Sequence, residues 1–245
     1  MIKNPTEQIL NWLFPPRCAF CDEIVTAEGG VCEKCGKLLP LIRDPYCLKC
    51  GKKLRKEEAE YCADCSVNPH RFVAARSALE YNEMVGRSIY RFKYGGRKEY
   101  AKAYSRIVYE SLSDWIVQIK PDAIVPVPLH KSRLKRRGYN QSALFAKQIG
   151  KLCGCRVLED LAIRVRKTKP QKLMDYAGRQ ENLKKAFKLR ENDVKLNIVL
   201  LVDDIYTTGS TLDELAQVFR DAGVGKVYGL TIASGSIKGG AKHGS

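Results

Sequence analysis

Two adjacent carboxylates and a hydroxyl-rich loop give this sequence its most specific chemistry. Asp203 and Asp204 follow the apolar run 199–202, and the loop 207–211 reads Thr-Thr-Gly-Ser-Thr. Four branched apolar residues predict a strand buried on both faces, which we expect to stop at the acids because a buried strand interior does not tolerate charge. An apolar pattern at helical spacing follows from Leu212. The sequence therefore predicts strand, loop and helix, with the loop where open α/β sheets bind ligands.

This loop carries the donors of a phosphate site. Backbone N–H groups and hydroxyls would lie beside the positive end of the new helix, an arrangement that binds phosphate. Asp203 and Asp204 would accept hydrogen bonds from the vicinal hydroxyls of a ribose whose 5′-phosphate occupies the loop. The alternative is that Asp204 caps a turn and the Thr/Ser run only caps the helix at or near Thr211. The complete string favours the ligand, and the absence of Gly-Lys-Ser/Thr excludes a Walker A loop.

A basic segment follows a second predicted strand, 123–127. Because this strand ends in Pro126-Val127-Pro128, the next residues should lie at the same sheet edge as Asp203, and five basic residues fall within seven positions of 131–137. For Lys131 and Arg133 a solvated helix start is the favoured interpretation. The segment that follows combines guanidinium forks, a glycine, an aromatic ring and amides, more than a helix cap requires. The predicted substrate-binding residues are Arg136, Arg137, Gly138, Tyr139, Asn140 and Gln141.

A third polar segment, 166–172, is basic and interrupted by proline, and it predicts a loop over the crevice. Together with basic residues elsewhere it would form a positive track for a strand of nucleic acid. Tyr94, Tyr139 and Tyr176 are candidate surfaces for base stacking. The predicted nucleic-acid-binding residues are Lys93, Arg97, Lys169 and Arg179.

Eight of the ten cysteines form four Cys-x-x-Cys pairs. Two such pairs supply the four thiolates of a tetrahedral structural zinc site, so we expect one or two zinc ions. Consecutive pairs would share an ion, although crossed pairing, first with third and second with fourth, stays open. Cys153 and Cys155 lie outside the pattern as expected buried thiols. The predicted metal ligands are Cys18, Cys21, Cys32, Cys35, Cys47, Cys50, Cys62 and Cys65.

The whole chain sets wider limits. A length of 245 residues fits one medium domain and a small module, and the net charge of +16 favours polyanionic partners such as nucleic acid. Neither a secretory signal nor a run of about 20 apolar residues is visible, so we expect a cytoplasmic protein with no membrane span. Reduced thiols in that compartment favour zinc over disulfides.

Strand and helix patterns alternate after the cysteine-rich part, which predicts an α/β domain with a doubly wound parallel sheet. The predicted organisation is a lead-in 1–17, a zinc module 18–65, a linker 66–73 that contains His70, an α/β domain 74–235 and a tail 236–245. Strands are predicted at 74–81, 123–127, 156–163, 198–203 and 226–233, and helices at 83–92, 100–117, 141–152 and 179–187.

The order of the motifs resembles the ComF family over essentially the whole chain. The motifs are the four cysteine pairs, Pro-Val-Pro-Leu, Arg-Arg-Gly-Tyr-Asn-Gln, Thr-Lys-Pro-Gln, and Val-Asp-Asp-Ile-Tyr-Thr-Thr-Gly-Ser-Thr. The resemblance implies a double zinc ribbon on a type I phosphoribosyltransferase fold. It also implies a role in natural transformation, handling incoming single-stranded DNA beside a DNA-uptake helicase.

Carried over by position, the resemblance assigns roles within the loop. As candidate catalytic residues, Asp203 and Asp204 would hold the ribose of phosphoribosyl diphosphate, with Mg²⁺ bridging ribose and diphosphate. Thr207, Thr208, Gly209, Ser210 and Thr211 would hold the 5′-phosphate. The first hypothesis is therefore a competence protein that binds single-stranded DNA and phosphoribosyl diphosphate or a DNA sugar-phosphate. The alternative is an active Mg²⁺-dependent phosphoribosyltransferase of unknown acceptor, although the loop lacks the acid that many such enzymes use to assist the base.

Overall fold

The computed structural model describes residues 15–25, 30–56, 58–166, 186–190 and 195–235. The predictions for most of the lead-in, for the tail and for 167–185 lie outside these residues. Among the candidate site residues, this applies to Lys169, Arg179 and Tyr176.

A parallel sheet forms the centre of the described chain. Four strands pair in the order β1-β6-β5-β2, all parallel, while β3 and β4 form a separate antiparallel pair. Tyr206 pairs with Ser234, and Ser234 pairs with Glu80, so the strands end at a common carboxyl edge. The strands are β1 Ala75–Glu80, β2 Ala123–Pro126, β3 Ala162–Arg164, β4 Phe187–Leu189, β5 Ile198–Tyr206 and β6 Lys226–Ser234.

Helices cover both faces of the sheet. Leu200 and Val202 belong to a core shared with α3, α4 and α6, whereas Val199 and Leu201 pack in a second core with α7. Alternate residues of one strand therefore face opposite layers, and the predicted doubly wound α/β class is confirmed. The helices are α1 Glu33–Lys37, α2 Ala63–Val67, α3 Glu83–Tyr94, α4 Tyr100–Ile119, α5 Lys131–Arg137, α6 Gln141–Cys153 and α7 Ser210–Asp221.

Strand β5 corrects one prediction, because it continues through both acids to Tyr206. The acids are tolerated because each has a partner: the Ser142 hydroxyl donates to Asp203, and the Lys93 ammonium pairs with Asp204. The carboxylates therefore project from a rigid strand instead of a flexible loop.

Two further predictions of secondary structure are wrong. The strand predicted at 156–163 is reduced to a single bridge between Val157 and Ile124, and the regular strand β3 begins only at Ala162. The prediction that a helix ends at Phe187 is also wrong, because Phe187 is the first residue of strand β4. Its ring is buried in the core that holds Ala162, which favours pairing of β4 with β3.

The cysteine-rich region packs against the α/β domain along the edge strand β1. Leu41 forms an antiparallel bridge with Leu79, and the Ile42 amide donates to the Ala78 carbonyl at 2.8 Å. Phe20 and Leu54 belong to the two sheet cores. This region therefore shares its hydrophobic core with the domain that follows. Among the described residues no helix has both the length and the apolar character needed to cross a membrane.

Candidate functional site

A pocket of about 260 Å³ opens at the carboxyl edge of the sheet. Its floor is the end of β5 with Asp203 and Asp204, and the loop 207–209 and the start of α7 form one wall. Residues of α3 and α5 form the opposite wall. The two sequence motifs predicted to meet at this edge therefore line one pocket.

The two carboxylates differ in their surroundings. Asp203 Oδ1 accepts hydrogen bonds from the Ser142 hydroxyl at 2.9 Å and from the Asp204 amide at 2.8 Å. Burial, and next the negative charge of Asp204, raises the pKa of Asp203 to about 6. Asp204 Oδ2 lies 2.9 Å from Lys93 Nζ. The pair thus offers one carboxyl that titrates near neutral pH and one that is neutralised by a lysine.

The loop that follows β5 is shaped for a close approach to a ligand. Gly209 has φ 78° and is the N-cap residue of α7. A glycine, and not a threonine or serine of the Thr/Ser run, therefore occupies the N-cap position of α7. Thr208 Oγ1 and Ser210 Oγ lie 2.8 Å apart, while Thr207, Gly209, Ser210 and Thr211 line the pocket. Amide groups at this helix start are suited to bind a phosphate.

Basic side chains form the wall opposite the loop. Arg136 and Arg137 line the pocket as predicted, but so does Arg133, for which a solvated position was the favoured interpretation. Burial, and next the charge of Arg137, lowers the pKa of Arg133. Arg164 of β3 completes this wall, and burial lowers its pKa to about 10. Sequence reasoning missed Arg164; its only signal was a charge in the apolar stretch 161–165.

Arg137 is held by two partners. Its guanidinium donates to the Tyr94 hydroxyl at 2.8 Å and to Gln141 Oε1 at 3.0 Å, and Cζ lies 4.7 Å from the centre of the Tyr94 ring. The Arg137 Nε atom is buried and has no hydrogen-bond partner among the described residues. An N–H group in this position is suited to donate a hydrogen bond to an oxygen of an anion.

Three neighbouring predicted residues shape the wall without being among the described lining residues. Gly138 ends α5 with φ 79°. The Tyr139 ring is buried and its hydroxyl donates to the Phe92 carbonyl. Asn140 caps α6 and donates to the Val127 carbonyl at 3.0 Å. Burial removes Tyr139 as a stacking surface, because a nucleobase has no access to its ring.

Of the predicted nucleic-acid-binding residues, only Lys93 and Arg97 are described. Lys93 lines the pocket, and its ammonium forms an ion pair with Asp204. Arg97 pairs with Asp22 of the cysteine-rich region at 2.8 Å, and the Tyr100 hydroxyl donates to the same carboxylate at 2.5 Å. Arg97 and Tyr100 thus join the cysteine-rich region to the start of α4, and Arg97 is not among the residues that line the pocket in the described chain.

A buried cluster behind the loop was also missed. His70 Nδ1 lies 2.6 Å from Asp213 Oδ2, and His70 Nε2 lies 3.3 Å from the Tyr206 hydroxyl. The other Asp213 oxygen accepts from the Arg71 amide at 2.8 Å. Although His70 was assigned to the linker, its side chain is fully buried against the pocket loop. The available signal was the acid Asp213 within the otherwise apolar face of a predicted helix.

The eight paired cysteines form two groups in the described chain. One group contains Cys18, Cys21, Cys32 and Cys35, and the other Cys47, Cys50, Cys62 and Cys65; within each group the sulfurs lie within 4.8 Å of one another. This resolves the open question of pairing in favour of consecutive pairs.

The sulfur geometry fits zinc. Cys21 and Cys32 Sγ are 3.8 Å apart, and Cys50 and Cys62 Sγ are 3.7 Å apart. A tetrahedral ion with Zn–S bonds of about 2.3 Å separates its sulfur ligands by about 3.8 Å. The Cys32 amide also donates to Cys18 Sγ at 3.4 Å, which favours a thiolate. Both groups are therefore consistent with structural zinc.

Comparisons with known proteins find a family that matches the cysteine-rich region and relatives that match a larger part of the chain. The family described as "Double zinc ribbon domain" matches residues 9–66. "Competence protein F" of Haemophilus influenzae is 37% identical over 160 residues, which cover 62% of this chain and 70% of the relative. "DNA utilization protein YhgH" of Escherichia coli K12 is 34% identical over 62% of this chain and 67% of the relative. "Competence protein ComFC" of Bacillus subtilis is 31% identical over 60% of this chain and 58% of the relative.

Among solved structures, a purine phosphoribosyltransferase from Pyrococcus horikoshii matches with a TM-score of 0.35 and 11% sequence identity. The match covers 54% of this chain and 83% of that chain. At this level of similarity it carries no conclusion about a ligand.

Proposed function

The chain belongs to the ComF family of competence proteins, and on that premise we propose that it handles single-stranded DNA in the cytoplasm during natural transformation. The carboxyl-edge pocket would bind phosphoribosyl diphosphate or a sugar-phosphate of the DNA, and the basic wall would hold the neighbouring phosphates. A DNA-uptake helicase would be its partner. The names of the relatives, which refer to competence and to DNA utilization, support this role.

One observation carries the proposal: the loop before α7, a pair of carboxylates and a basic wall surround the same pocket. Each part matches one part of a phosphorylated ribose. The amides at the start of α7 suit the 5′-phosphate, the carboxylates of Asp203 and Asp204 suit the ribose hydroxyls, and the guanidinium groups of α5 suit further phosphates.

Lys93 has a defined place in this binding mode. In the structure it neutralises Asp204 at 2.9 Å. We expect its ammonium to contact a phosphate of the bound ligand as well, while Asp204 accepts a hydrogen bond from a ribose hydroxyl. Without a cation beside it, the buried carboxylate of Asp204 would be an uncompensated charge, so this ion pair stabilises the acid at its position.

The acids also fit Mg²⁺. This ion prefers oxygen ligands and is commonly held by one or two carboxylates together with substrate phosphates. Asp203 and Asp204 supply carboxylate oxygens at the pocket floor. When bound, Mg²⁺ would neutralise charge on the diphosphate, while this chain's own residues orient the sugar.

The nucleic-acid part of the proposal is tested by the salt dependence of oligonucleotide binding. Each phosphate contact to single-stranded DNA contributes about −0.7 to the slope of log K against log salt. Replacing Arg136 and Arg137 with alanine should flatten the slope by about 1.4. The control removes two exposed lysines, Lys151 at the end of α6 and Lys226 at the start of β6, both at the opposite edge. Equal flattening in both variants, or salt-insensitive binding, would contradict the proposal.

An active phosphoribosyltransferase is the second candidate. It is favoured by the Asp203 carboxyl, which the Ser142 hydroxyl and the Asp204 amide hold at the pocket floor and whose pKa burial raises to about 6. A carboxyl that titrates near neutral pH suits general acid–base catalysis. Activity would release diphosphate from phosphoribosyl diphosphate, with water or another nucleophile as acceptor, and Asp203→Asn would abolish the release. The absence of diphosphate release by the wild-type protein in the presence of Mg²⁺ and nucleobases would count against this function.

A further inference from the structure

We infer that Tyr90 and Tyr94 form a stacking platform for an unpaired base of single-stranded nucleic acid, placed beside the sugar-phosphate pocket. The inference deepens the proposed function and rests on it. Among these residues only Tyr94 was a predicted stacking surface, and Tyr90 has no assigned role.

The two rings are presented to solvent by α3. Val85, Ile89 and Phe92 on the same helix are buried in the core, so the helix is fixed against the sheet. Tyr90 and Tyr94 are four residues apart and project from the opposite side, with exposed fractions of 62% and 48%. Their ring centroids are 5.0 Å apart at an interplanar angle of 47°. Both rings also line the pocket, which places a stacked base next to a ribose held at the acids.

Cationic groups surround the platform. Arg137 lies over the Tyr94 ring and bonds to its hydroxyl, and Arg136 Cζ lies 5.8 Å from the same ring. Tyr94 is therefore anchored and has one face occupied, which leaves the more exposed Tyr90 as the principal stacking surface. Rings next to guanidinium groups match the alternation of bases and phosphates in a single strand. Charge complementarity thus favours single-stranded nucleic acid over a neutral or cationic partner.

The test compares two ligands and four proteins. A short oligothymidylate is compared with an abasic oligonucleotide of the same length, which carries the phosphates without bases. The proteins are the wild type, Tyr90→Ala/Tyr94→Ala, Tyr90→Phe/Tyr94→Phe and the control Tyr61→Ala. Tyr61 is a tyrosine with a similar exposed fraction, 47%, in the zinc-ribbon region.

Stacking on an aromatic ring predicts that the wild type prefers the oligothymidylate by about 5- to 150-fold. The preference should fall to near one in the double alanine variant and persist in the phenylalanine and Tyr61 variants. Equal affinity of the wild type for both ligands, or a preference that survives in the double alanine variant, would overturn the platform while leaving the proposed function intact. Failure of the wild type to bind either ligand would overturn both.

Discussion

Replacing Gly209 with alanine should destabilise the protein by about 2–5 kcal/mol, because two costs add at this position. The first is the left-handed backbone, φ 78°, which costs an L-residue about 1–2 kcal/mol. The second is steric: a Cβ here would lie 2.4 Å from the Tyr206 hydroxyl oxygen and 3.1 Å from His70 Cε1. Both rings are buried and bonded to each other, so they give way poorly, and overpacking of this kind costs about 1–3 kcal/mol.

Gly223 offers a matched control. Its φ is 88°, but no heavy atom of the described residues lies within 4 Å of an added Cβ, so Gly223→Ala should cost only the backbone part, about 1–2 kcal/mol. Both variants would be unfolded in urea under identical zinc concentrations, and the difference between them isolates the clash. Adding Tyr206→Phe to Gly209→Ala removes the oxygen nearest the new methyl group and should recover part of that difference. Equal destabilisation by the two glycine substitutions would refute the packing of this loop on the His70 cluster.

Three further predictions concern the acids, the cysteines and the buried cluster. Binding of phosphoribosyl diphosphate should weaken as the pH falls through about 6, since protonation of Asp203 removes a hydrogen-bond acceptor. Asp204→Asn removes a like charge and should therefore move the pH at which binding is half lost to a lower value. Calorimetric titrations over a pH series measure both effects. Cys47→Ser should reduce the bound zinc from two ions to one per chain, while Cys153→Ser leaves both, measured by elemental analysis. Asp213→Ala should lower the free energy of unfolding in urea by about 2–4 kcal/mol, because it leaves a buried imidazole and an amide without their acceptor.

The sequence was most informative where one local segment carries its own chemistry. The cysteine pairs and the segment around the loop after β5 are continuous motifs, so spacing and residue type were sufficient to predict the cysteine-rich metal-binding region and the order strand, loop and helix. The end of β5 was misjudged for a physical reason. A buried acid is costly only when unpaired, and the partners Lys93 and Ser142 come from other parts of the chain.

The residues that sequence reasoning missed all depend on tertiary contacts. Arg164 looks like a surface charge until β3 places it in the pocket wall. His70 looks like part of a connector until α7 brings Asp213 to it. Tyr139 is the opposite case. Its place in a polar segment predicts an exposed ring, but the ring is buried in the core beside Phe92. Periodicity and composition carry no information about such distant partners.

The central claim is that the carboxyl-edge pocket binds a phosphorylated ribose, and calorimetry with phosphoribosyl diphosphate and Mg²⁺ tests it most directly. Three proteins are compared: the wild type, Asp203→Asn/Asp204→Asn, and the control Asp114→Asn/Asp160→Asn, which alters two exposed acids outside the pocket lining. Saturable binding in the wild type and the control, lost in the first variant, is the predicted result. Absence of binding in the wild type, or undiminished binding in the Asp203/Asp204 variant, would contradict the claim.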